Sequence, residues 1–198
     1  MSYSVTSLDE LDRIPVAHGL EWRPIRRRFG IRAFGVNAYT AERVGDWVVE
    51  EHDESRLGHE ELYLVVSGRA RFTLDGEEVD APAGTLVFLR DPAARRVAVA
   101  EEEGTTVLAV GGPRGKAFEP SAWEWYFAAE HLPADEAVEL LRQGVEDHPE
   151  NGWLHYHLAR HLVRAGRPDE ARESLGRAID LRPETREYVG RDEDLAAL

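Results

Sequence analysis

No cysteine occurs among the 198 residues. Its absence excludes disulfides, thiolate nucleophiles and cysteine metal sites, so any bound metal would depend on His, Asp and Glu. Long apolar runs are also lacking, and none approaches the roughly 18 residues that a membrane span requires. The start, Met1 to Glu10, has neither the basic nor the apolar segment of a secretory signal, which makes a cytoplasmic protein the expectation. Positive charge is scarce: 24 Lys and Arg face 38 Asp and Glu, for a formal charge of −14. Such a surface repels phosphate backbones and anionic lipid, so neither nucleic acid nor membrane is expected as a partner. The one basic cluster, Arg23, Arg26, Arg27 and Arg28, reads as a solvated edge with local ion pairs. Phosphate loops, a Ser-His-Asp order and a dinucleotide glycine pattern are all missing.

With 42% hydrophobic and 31% charged residues, the chain can bury one good core or two small ones. Residues 1–12 contain TSLDELD, a single helical turn capped by Ser7 and broken by Pro15. From about Leu20 onward come short β-type runs with no intervening helix: IRAFGVNAYT, DWVVEEH, ELYLVVSG, RARFTL, EEVDAP, TLVFL, RRVAVA and TTVLAVGG. Asp75-Gly76 is the clearest tight hairpin. Ala70, Phe72 and Leu74 alternate with Arg69, Arg71 and Thr73, which gives one buried face and one wet face. Many short strands in succession indicate a sandwich or closed barrel. A Gly/Pro-rich link at Gly111 to Pro120 ends the strands, and residues after Ser121 follow a helical period. Two domains are therefore expected, 1–115 and 116–198.

The helical part repeats itself. Asp135-Glu136-Ala137, Leu141 and Pro149 recur as Asp169-Glu170-Ala171, Leu175 and Pro183, always 34 residues later, the period of a tetratricopeptide-type helix-turn-helix. With Pro183 at the terminal proline of the repeat, Leu158, Ala171 and Ala178 match the expected leucine and small positions. Ala159 replaces the usual glycine, Leu162 the usual tyrosine, His155 the usual tryptophan and Gly144 the second alanine of the first repeat. The region resembles one full repeat plus a divergent one, with ETREYVGRDEDLAAL as a trailing cap. Arrays of this kind need about three repeats to bury a core, so the pair is expected to pack on the β part or on a second subunit. His157 and His161, one helical turn apart, read as solvated or partner-facing rather than as a metal pair. Trp123, Trp125 and Tyr126 read as a plug between the two parts rather than as a ligand wall.

In the β part, Glu61-Leu-Tyr-Leu-Val-Val-Ser-Gly68 and Gly84-Thr-Leu-Val-Phe-Leu-Arg90, with 15 residues between the two glycines, resemble the two motifs of the cupin family over roughly residues 30–112. The resemblance implies a cupin jelly-roll β barrel, a homodimer, and a divalent metal held by an HxH pair, a glutamate and a later histidine. This sequence departs from that pattern. His52 and Glu54 take the places of the pair, the loop to Glu61 is about three residues longer than usual with His59 in position to compensate, and Arg95 stands where the last histidine belongs. Arginine stays protonated and cannot ligate a metal.

Two readings stay open. In one, His52, Glu54, His59 and Glu61 bind Zn, Mn or Fe(II), with Tyr63 or Arg95 orienting the substrate of a dioxygenase or isomerase of small oxygenated molecules. In the other, Arg95 balances Glu61 or Glu54 in the pocket, no metal cofactor is needed, and the protein is a small-ligand-binding or regulatory module. Its helices would then hold a protein partner or the chain's own second subunit.

Overall fold

A computed structural model of the chain describes residues 4–196 and 198. It divides into two compact units, Met1–Pro120 and Ser121–Leu198.

The β unit opens with a short 3-10 turn, Leu8–Glu10, where the Ser7 backbone N–H donates to the Glu10 carboxylate at 3.0 Å. Ten strands follow: β1 Ile14–Pro15, β2 Leu20–Arg23, β3 Gly35–Ala41, β4 Trp47–His52, β5 His59–Ser67, β6 Arg69–Leu74, β7 Glu77–Pro82, β8 Leu86–Leu89, β9 Arg96–Ala100 and β10 Thr106–Pro113. They form two antiparallel sheets, in the orders β1-β2-β3-β10-β5-β8 and β4-β9-β6-β7. The pairings are nested: β6 with β7, β5 with β8, β4 with β9 and β3 with β10. One long ribbon wound over itself so that its pairs alternate between two sheets is a jelly roll.

The alternation read from the sequence decides which side chains face inward. Ala70 and Phe72 of β6, Tyr63 and Val65 of β5, Val87 and Leu89 of β8 and Val107 of β10 are buried in one core, while Arg69 and Arg71 stay outside. Asp75 and Gly76 both have positive φ, 50° and 91°, as the expected hairpin requires.

The N-terminal stretch differs from expectation. A five-residue helix, α1 Ile25–Phe29, lies among the strands, and β1 and β2 extend the first sheet. Arg23 and Arg26 are buried rather than solvated: Arg23 Nη1 donates to the Leu8 carbonyl at 3.2 Å, and Arg26 Nη1 donates to the Ile31 carbonyl at 3.2 Å. Both guanidiniums reach main-chain acceptors, which local charge patterning does not reveal. The compact β unit runs to Pro120, and the Phe118 ring lies over Gly35, where an added Cβ would meet it at 2.9 Å.

The helical unit comprises α2 Trp123–Ala129, α3 Ala134–Asp147, α4 Gly152–Arg164, α5 Pro168–Leu181 and α6 Arg186–Val189. Asn151 caps α4, accepting from the N–H groups of Trp153 and Leu154 at 3.1 and 3.2 Å. The small positions of the repeat, Ala137, Ala159, Ala171 and Ala178, are all fully buried where helices approach. Trp125 belongs to this unit's own core with Val138, Leu141 and Leu154. Leu195, beyond α6, is buried with Tyr156, Ala159, Leu175 and Ala178, so the trailing segment covers the last hairpin from within the unit.

Candidate functional site

The inward face of β5 carries His59, Glu61, Tyr63 and Val65 in alternation, so the period that builds the core also sends one carboxylate between the sheets. At that end of the jelly roll β4 contributes His52 and the following loop contributes Glu54.

Glu61 Oε2 is the centre of the cluster. The Tyr63 hydroxyl donates to it at 2.5 Å, Arg96 Nη2 of β9 lies 3.2 Å away and His52 Nε2 lies 3.7 Å away. His52 Nε2 is also 3.8 Å from Glu54 Oε1, and His59 Nδ1 is 3.4 Å from Glu54 Oε2. Since a carbonyl can only accept, the His52 Nδ1–H donates to the Glu50 carbonyl at 2.8 Å, which leaves Nε2 turned to the two carboxylates.

The ionisation of these groups follows from that geometry. Burial raises the Glu54 carboxyl above its ordinary pKa, and the negative charge of Glu61 raises it further. Burial acts on Glu61 in the same sense, but the close His52 imidazole, the hydrogen bond from Tyr63 and the positive charge of Arg96 outweigh it and hold Glu61 low. For His52, burial opposes the charged form, and the interactions with Glu61 and the Glu50 carbonyl overcome it, so its pKa is raised. Burial lowers His59, with Glu61 opposing in part. The Tyr63 hydroxyl, buried against the Glu61 charge, is pushed well above its usual value.

Five of the six pocket residues expected from sequence, His52, Glu54, His59, Glu61 and Tyr63, therefore gather in one place. Arg95 does not. Its side chain is 66% exposed and pairs with Glu51 at 2.8 Å on the outside. The neighbouring Arg96, whose side chain is 0% exposed, takes the inward position. A shift of one residue along a strand exchanges its two faces. The signal was in RVAVA, where Ala98 and Ala100 face the core and the period of two carries Arg96 with them.

His52, Glu54 and Glu61 each offer a ligand atom, and those atoms lie within 4.8 Å of one another. His59 stands next to that group through Glu54. Among the described residues no other His, Asp and Glu group has this arrangement. His157 and His161 are not solvated, as expected from sequence, but buried or nearly so. They lie 3.3 and 3.7 Å from Glu130 Oε1, and the His157 ring stacks on Tyr126.

Residues 134–190 match the family model described as tetratricopeptide repeat. The helical unit carries a tetratricopeptide-like repeat. A search of curated protein sequences finds no match. Similar solved structures include KdgF from Halomonas sp., 21% identical over 57% of this chain and 96% of that one, with a TM-score of 0.46. A sugar phosphate isomerase of the cupin superfamily from Silicibacter pomeroyi is 19% identical over 55% and 75%, with a TM-score of 0.46. Streptomyces Pac13 with uridine is 23% identical over 57% and 84%, with a TM-score of 0.42. For this chain the cupin-type jelly roll rests on its own strand order. No helix of the described residues is long and apolar enough to cross a membrane.

Proposed function

We propose that this protein is a small-ligand-binding or regulatory module: a cupin-type jelly roll whose interior polar cluster is balanced by a fixed guanidinium in place of a metal, joined to a helical unit for protein contact. The observation that carries the reading is Arg96, fully enclosed and 3.2 Å from Glu61 Oε2. A divalent ion ligated by that oxygen would stand about 4 Å from a permanent cation. At an effective dielectric of about 20 the repulsion between +2 and +1 at that distance is about 8 kcal/mol. Tyr63 already donates to the same oxygen. The donor types suit a metal, but the enclosed guanidinium beside them does not. What remains is a set of acceptors and donors, with His52 the most accessible and Glu54, Glu61 and His59 nearly enclosed, suited to hold the oxygens and hydroxyls of a small polar molecule.

A second reading, a metal-dependent enzyme of small oxygenated molecules, is favoured by the mutual proximity of His52, Glu54 and Glu61. Elemental analysis of protein purified without chelator separates the two, together with melting in the presence and absence of Zn²⁺ or Mn²⁺. The binding-module reading expects far less than one metal per chain and no rise in melting temperature. One equivalent of metal, or a rise of several degrees at micromolar metal, establishes the enzyme reading instead.

A further inference from the structure

Tyr156, Arg160 and Arg164 recur every fourth residue along α4, and this spacing puts three hydrogen-bond donors on one stripe of the helix. Two carboxylates of the segment after α6 lie on that stripe. The Tyr156 hydroxyl donates to Asp192 Oδ2 at 2.6 Å, and Arg160 Nε is 2.8 Å from the same oxygen. Arg164 reaches Asp194 Oδ2 with Nε at 2.8 Å and Nη2 at 2.7 Å, while Arg160 Nη2 is 3.7 Å from it. The Asp194 N–H donates to Asp192 Oδ1 at 3.0 Å, which fixes the spacing between the two acids.

We infer that this stripe is a recognition site for an acidic protein segment of the form carboxylate-x-carboxylate-apolar, and that residues 192–195 of the chain occupy it in cis. The inference rests on the reading of the helical unit as a protein-contact module. Charge selects the ligand. On their other side, among the described residues, Arg160 and Arg164 share the one carboxylate of Glu130, at 2.6 and 3.2 Å, with His157 and His161 flanking it. Without Asp192 and Asp194, two guanidiniums would face a single carboxylate, and the surplus positive charge favours an incoming acid.

Geometry selects the spacing and the apolar position. The two acids are two residues apart, and Leu195, directly after them, is buried against Tyr156, Leu175 and Ala178. The seat is open at one end only: Asp192 keeps 11% of its side chain exposed and Leu195 is buried, so exchange has to begin at the Arg164–Asp194 end. Arg164 and Asp194 keep 34% and 26% of their side chains exposed, and ion pairs at such exposure are individually weak.

Fluorescence anisotropy of a labelled peptide with the sequence of residues 189–196, titrated with the full chain, tests this. Wild type should bind it weakly, because its own segment competes. Asp192→Asn/Asp194→Asn should bind at least about tenfold more tightly, the gain expected when a cis occupant that holds the site about nine-tenths of the time is released. Adding Arg164→Gln to that variant should remove the gain, and a peptide with both acids changed to Asn should not bind. Should the double variant fail to fold by circular dichroism, Asp194→Asn alone gives a smaller gain in the same direction. Equal affinity for wild type and the tail variants, or a gain that survives Arg164→Gln, overturns the inference. A basic or apolar peptide of equal length that binds every form alike keeps the protein-contact reading while the acidic-segment inference falls. Failure of all peptides with all forms removes both.

Discussion

Arg96 Nη2 and Glu61 Oε2 lie 3.2 Å apart inside the jelly roll, the guanidinium with no exposed surface and the carboxylate nearly enclosed. The pair joins β9 of one sheet to β5 of the other, so it spans the interior at the end where the polar cluster sits. Neither charge can be removed alone without leaving its partner buried and uncompensated.

Arg96→Ala should therefore cost about 3–5 kcal/mol, the range for breaking a buried ion pair from one side. Arg95→Ala, next in sequence, should stay within about 0.5 kcal/mol, because its pair with Glu51 is exposed. Urea melts of the two variants check the assignment. Equal losses would mean that the register of β9 is shifted by one.

The pH profile of stability should show His52. Its folded pKa is raised, so its contribution is fully present below its unfolded value, about 6.5, and is lost as the pH rises through the folded value. Glu54, also raised, lowers stability in the same direction as it ionises, from its unfolded value of about 4.3 upward. Glu61 is held low, so its contribution is present above the unfolded value and is lost only as the pH falls through the folded one. His59 and His157, both held low by burial, act the other way and add stability as the pH rises towards about 6.5, so His52 is read from the difference between wild type and His52→Gln: that difference should favour wild type below about 6.5, shrink as the pH rises through neutrality, and leave the acid limb in place. Denaturant melts at intervals between about pH 4 and 8.5 measure both limbs, and an unchanged neutral limb in His52→Gln would remove the histidine from the account.

The elements that obey a simple period were legible in the sequence, and so were most of the cluster residues. Strands β6, β8 and β9 alternate over several residues, and the 34-residue offset pairs Ala137 with Ala171 and Gly144 with Ala178. Arg96 was not found because two arginines are adjacent, and counting forward from Gly84 crosses the irregular turn before β9. There the Arg95 N–H is tied to Asp75 Oδ1 at 2.8 Å and the chain enters the strand one residue later. The burial of Arg23 and Arg26 was not legible for another reason: their acceptors are main-chain carbonyls, which carry no side-chain signature. His161 is similar, since its partner Glu130 lies on the other side of α3 in the sequence and only the fold brings them together.

Gly68, which closes β5, tests the turn glycine shared with the cupin motif. Its φ is +71°, and an added Cβ would stand 2.4 Å from Thr105 Oγ1 and 2.8 Å from Thr105 Cα. Thr105 cannot move aside, because its buried hydroxyl donates to the Glu102 carbonyl at 2.7 Å and accepts from the Arg69 N–H at 3.2 Å. Gly68→Ala should cost about 2–4 kcal/mol from strain and overpacking together. Gly76→Ala has a similar φ of +91° and open space around it, so only the strain applies, about 1 kcal/mol. Thermal melts that rank the two variants the other way would refute the close approach of β5 to Thr105.

Gly144 poses a sharper question, since the repeat ordinarily has alanine there and helix propensity alone favours alanine by about 1 kcal/mol. The structure opposes that gain. An added Cβ would meet Trp125 at Cγ, 2.7 Å, at Cδ1, 2.9 Å, and at Cβ, 3.0 Å, which is the base of the indole rather than a flexible end. Trp125 is itself buried in the core of the helical unit with Val138, Leu141 and Leu154, so it has little freedom to yield. Overpacking of this kind costs about 1–3 kcal/mol, and Gly144→Ala should be neutral to about 2 kcal/mol destabilising once propensity is subtracted. Gly176, on the exposed face of α5, has nothing within 4 Å of an added Cβ, and Gly176→Ala should stabilise by about 1 kcal/mol. The two substitutions are chemically identical and should move the melting temperature in opposite directions or, at the least, with a clear gap between them. A Trp125→Leu background makes the cause specific: with the indole gone, Gly144→Ala should become stabilising like Gly176→Ala. If the cost of Gly144→Ala persists there, the glycine is not explained by the tryptophan.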